Sequence, residues 1–82
     1  MENKITQIRV DGRQTGVIGL EYAIRNIVEW ARGKSDEEII AELLSRVEKR
    51  NYIPSKIKDA YGRALLREYK KFIGEKVEEE PL

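Results

Sequence analysis

The stretch I-T-Q-I-R-V-D-G-R-Q-T-G-V-I-G-L, residues 5–20, decides how the rest of the chain must fold. Thr6, Ile8 and Val10 alternate with Gln7 and Arg9, the period of a half-buried strand. Asp11-Gly12 follows at once. A two-residue type I′ turn needs positive φ at both central positions, and Asp-Gly meets that need at little strain. Arg13 to Ile18 is then the return strand, with Gly16 pointing to a bulge or a short strand. A hairpin of two strands is not stable alone in water, so one face must lie on whatever comes next.

What comes next is helical. Leu20, Ala23, Ile24, Ile27, Val28 and Ala31 recur at three- and four-residue steps, predicting a first helix over about 20–32. Glu21 and Arg25 form a four-step ion pair on its outer side, and Gly33 is a stop. Ser35 opens a second helix, about 36–50. Glu38 stands three residues beyond it in a capping box, and Asp36 and Glu37 favour the positive end of the helix dipole. Ile39, Ile40, Leu43, Leu44 and Val47 are its apolar stripe. Pro54 blocks continuation. A third helix, about 55–73, carries Ile57, Ala60, Tyr61, Ala64, Leu65, Tyr69, Phe72 and Ile73, and Gly74 closes it. Gly62 weakens that helix unless a close neighbour needs the space.

The expected class is therefore α+β, mainly α. A short N-terminal β-hairpin, 5–18, packs on a three-helix bundle in one compact domain over 1–74. Residues 75–82 (E-K-V-E-E-E-P-L) read as a frayed acidic tail.

Composition narrows the function. The 82 residues include no Cys and no His, which removes disulfides, thiolate catalysis, imidazole acid–base chemistry and zinc-finger ligands. Charged residues are 38% of the chain, with Lys+Arg 16 and Asp+Glu 15. That balance leans towards a thermophile, where ion-pair networks gain value. Met1 to Val10 has no apolar stretch of the kind a signal peptide needs, and no apolar run approaches the roughly 20 residues of a membrane span. The expected location is the cytoplasm, with no membrane partner.

Four features are candidates for chemistry. The first is a basic block: residues 49–71 hold eight basic groups (Lys49, Arg50, Lys56, Lys58, Arg63, Arg67, Lys70 and Lys71) against Asp59 and Glu68. Tyr52, Tyr61 and Tyr69 are interleaved. Such an array can neutralise phosphates while a ring stacks on a base. It also fits the solvated side of an amphipathic helix. The second is T-G-V-I-G-L, residues 15–20. Free N–H groups at a helix start bind anions, but the glycines equally serve a sharp turn from hairpin to helix. The third is carboxylate. Asp36, Glu37, Glu38 and Glu42 are explained by capping and the dipole, and Glu78, Glu79 and Glu80 lie in the tail. Neither group offers a sheltered metal or acid–base site.

The fourth feature is aromatic and apolar surface. The apolar set of the first helix, with Tyr22 and Trp30 included, wraps more than one face. Tyr22, Trp30, Leu66, Tyr69 and Phe72 are candidates for a protein interface. The sequence thus suggests a small non-catalytic protein-interaction module that binds a second copy of itself, as a homodimer, or another protein through apolar helix faces. A nucleic-acid-binding protein using 49–71 is the alternative. No cofactor, metal or catalytic residue is expected. The junction R-N-Y-I-P, Arg50 to Pro54, stands out as a deliberate feature without a family to attach it to.

Overall fold

A computed structural model describes residues 4–74. Strand β1 (Ile5–Val10) and strand β2 (Arg13–Ile18) pair antiparallel, with Ile5 opposite Ile18 and Val10 opposite Arg13. Asp11 has φ 52° and Gly12 φ 81°, the two positive values a type I′ turn demands. The register runs unbroken past Gly16, which sits opposite Gln7, so the expected bulge is absent. A Cβ on Gly16 would lie 2.9 Å from Ile5 Cγ2 and 3.2 Å from Gln7 Nε2. The missing side chain therefore makes room for two cross-strand neighbours rather than a kink.

Gly19 turns the chain from hairpin to helix. Its φ of 79° is left-handed, a region a Cβ would make costly. Its N–H donates to the Lys4 carbonyl and its own carbonyl accepts from Ala23. One residue thus closes the sheet and opens helix α1 (Leu20–Ile27). Helix α2 (Asp36–Val47) follows, then one tight 3₁₀ turn at Ser55–Ile57, then helix α3 (Lys58–Phe72). The architecture is α+β and mainly α: an N-terminal hairpin followed by three helices. Among the described residues, no helix is long and apolar enough to cross a membrane. The 75–82 tail lies outside the described residues.

Three helix ends depart from expectation. Helix α1 stops at Ile27, not near 32. Beyond it Ala31 N–H still bonds the Ile27 carbonyl, but Arg32 bonds Glu29 and Lys34 bonds Ala31, three residues back each time. The apolar period carries Ala31 into the core while the backbone has tightened into turns. Helix α2 stops at Val47, not 50: Arg50 N–H bonds the Val47 carbonyl three residues back, and the Asn51 side chain donates to the same carbonyl. The third helix begins at Lys58, since the turn after Pro54 is 3₁₀ in geometry.

The Ser35 box forms as the sequence predicts. Ser35 Oγ accepts from Glu38 N–H at 3.2 Å, and Glu38 Oε1 accepts from Ser35 N–H at 2.9 Å. In the core, Ile8, Val10 and Val17 of the hairpin meet Leu20, Ile24 and Ile27 of α1, Ile39, Leu43 and Val47 of α2, and Tyr61, Leu65 and Tyr69 of α3. Ile40 and Leu44 remain half-buried and receive Gly62 of α3. A Cβ there would stand 2.6 Å from Ile40 Cγ2. Gly62 is thus the close-contact point of the α2–α3 pair.

Candidate functional site

The two sequence features without an assignment meet in space. Asn51, from R-N-Y-I-P, reaches Ile18, from T-G-V-I-G-L. Asn51 Oδ1 accepts from Ile18 N–H at 2.9 Å, and its Nδ2 donates to the Ile18 carbonyl at 3.0 Å. The same Nδ2 donates to the Val47 carbonyl at 2.8 Å. One amide therefore satisfies the outward edge of β2 and the end of α2 together. It fixes the end of α2 against the end of β2.

A groove of about 460 Å³ opens at that junction. Its walls are Ile18, Gly19, Tyr22, Ala23 and Asn26 on one side and Arg46, Lys49 and Arg50 on the other. The stem of Arg50 passes over Gly19, where a Cβ would lie 3.7 Å from Arg50 Cδ. Arg46 pairs with Glu42 at 2.8 Å. No ion pair engages Lys49 or Arg50 among the described residues. Tyr22 is 66% exposed on the groove wall, and Tyr52, two residues beyond Arg50, is 87% exposed.

The eight-residue basic block does not act as one surface. Lys49 and Arg50 line the groove. Lys58 pairs with Glu48 at 2.8 Å, Lys70 with Asp36 at 3.5 Å and Lys71 with Glu68 at 3.7 Å. Arg63 and Arg67 are exposed along α3, and Lys56 is exposed on the 3₁₀ turn before it. Sequence reasoning missed Arg46 and Asn26, which lie outside the block and enter the groove only through the tertiary fold.

The candidate interface residues also separate. Tyr69 is only 5% exposed and belongs to the core, so it cannot serve a surface. Leu66 is half-buried against the same core. Tyr22 faces the groove on one flank of α1. Phe72, 43% exposed, lines a cleft on the other flank with Leu20, Ile24 and Lys71. The Arg25 guanidinium lies over its ring, 5.6 Å from the centroid. Trp30 is 42% exposed, with the Lys34 ammonium 5.1 Å from its ring centre. Helix α1 does not leave a broad apolar face: Leu20, Ala23, Ile24 and Ile27 are buried within the one chain.

Electrostatics beside the groove hold one carboxylate charged. Glu21 is drawn below its ordinary range, first by the hydrogen bond from Lys4 and then by that from Arg25. The Lys4 contact is 2.8 Å and the Arg25 contact 3.2 Å. Its charge is thus committed to those two cations rather than to the groove. No protein-family model, curated protein or solved structure matches the chain.

Proposed function

We propose that this chain is a small, non-catalytic binding module whose working surface is the cationic groove between α1 and the end of α2, and whose partner is a polyanion. The carrying observation is the pair Lys49 and Arg50, neither held by a carboxylate among the described residues, in a groove whose position Asn51 fixes. Elsewhere Lys58, Lys70 and Lys71 are paired within the chain. Cations that are already positioned neutralise an anionic polymer with little further ordering. Absence of His and Cys from the sequence favours binding over catalysis. Titration of inorganic polyphosphate into the wild type and into Lys49→Glu/Arg50→Glu tests this. Binding by the wild type that the double variant loses supports the groove. Equal binding by both refutes it.

A second reading keeps a second copy of the chain as partner, through the cleft where Phe72 meets Leu20 and Ile24 among Thr6, Glu21, Glu68 and Lys71. Phe72 and Ile73 are 43% and 41% exposed, and Ile5 is 55% exposed. Sedimentation velocity over a wide concentration range tests it. Dimerisation that Phe72→Glu abolishes supports it, and a strict monomer at high concentration removes it.

A further inference from the structure

We infer that the polyanion taken by the groove is a single-stranded nucleic acid, with Lys49 and Arg50 meeting phosphates and Tyr22 and Tyr52 serving as platforms for its bases. This rests on the groove reading above and sharpens it. Tyr22 lines the groove and is 66% exposed, and Tyr52, two residues along the chain from Arg50, is 87% exposed. A cationic track with rings alongside it is the arrangement that holds unpaired bases, because every base offers a π-face. Asn26, on the same wall as Tyr22, adds an amide able to both donate and accept at a base edge.

The alternatives use less of the surface. An acidic peptide would engage the cations and leave both rings idle. A duplex keeps its bases stacked, and its recognition calls for an element that enters a groove of the nucleic acid. Here the cations line a concavity in the protein. The strand most compatible with the site is therefore one whose bases are free to splay onto aromatic rings.

Fluorescence anisotropy with a labelled oligothymidylate of about a dozen nucleotides tests this on the full chain. Polyphosphate, poly-glutamate and a duplex of equal length serve as competitors. The two unpaired groove cations predict that oligonucleotide affinity falls about 25-fold for each tenfold rise in salt. Tyr22→Ala and Tyr52→Ala should each weaken the oligonucleotide roughly tenfold. Tyr52→Ala should leave polyphosphate binding unchanged, and Tyr→Phe at either position should restore the oligonucleotide loss. Both rings are exposed, so the variants keep the fold, which circular dichroism verifies. If the alanine variants hold the oligonucleotide as tightly as the wild type, or if duplex or poly-glutamate competes equally, the single-strand assignment is wrong while the groove stands. If neither polyphosphate nor the oligonucleotide binds, both readings fall together.

Discussion

Asn51 carries more structural weight than its size suggests. Its amide replaces a missing neighbouring strand for Ile18 and donates to the Val47 carbonyl at the end of α2. Removing it strands partly buried backbone groups, so Asn51→Ala should destabilise the chain by about 2 kcal/mol. In a domain of this length that lowers Tm by roughly 10 °C, readable by thermal denaturation. Gly62 gives a prediction with the opposite sign to the usual helix rule. Ala is normally the better helix former, but here its Cβ would press on Ile40 Cγ2, an atom fixed close to its own backbone. Gly62→Ala should therefore cost about 1–2 kcal/mol in chemical denaturation rather than stabilise. The sequence left Gly62 open between solvent and close contact, because a lone glycine at a helical position reads the same either way. It marked Asn51 only through the unusual R-N-Y-I-P run. The partner at Ile18 is 33 residues away, beyond the reach of local pattern.

At the scale of elements, the signals that were legible are those set by neighbours in the chain. Asp11-Gly12 specifies its turn, and Ser35 with Glu38 specifies a helix start. Ser35→Ala should cost about 1 kcal/mol, measurable in urea. The box also carries a pH signature. The hydrogen bond from the Ser35 backbone, followed by that with its side chain, draws Glu38 below its ordinary 4.5. A carboxyl depressed in the folded state stabilises above its unfolded pKa, and that contribution fades as pH falls through the folded value. Stability should thus decline on acidification below about pH 4.5, with Glu21 acting in the same direction. Glu38→Gln keeps the geometry without the titration and should flatten part of that decline in Tm measured against pH. Helix α1 was overread because its apolar period continues to Ala31 while its hydrogen bonds do not. Periodicity reports which side chains are buried; it does not report which carbonyl each N–H finds.

At the scale of the molecule, burial and charge divide the surface. Hairpin and helices together enclose Leu20, Ile27, Leu43, Leu65 and Val17 with almost no exposure. That leaves the aromatic rings, not aliphatic faces, as the conspicuous apolar surface. The basic block read along the chain mixed three kinds of cation: paired, solvated and groove-lining. Only tertiary packing sorts them, since it brings Arg46 and Asn26 beside Lys49 and Arg50 and engages Lys58, Lys70 and Lys71 with carboxylates. The most direct measurement is amide chemical-shift mapping as oligothymidylate is added to the isotope-labelled chain. The account predicts saturable shifts at Gly19, Tyr22, Asn26, Lys49, Arg50 and Tyr52, with Arg63 and Arg67 unmoved. Shifts concentrated on Arg63 and Arg67, with the groove silent, would contradict it.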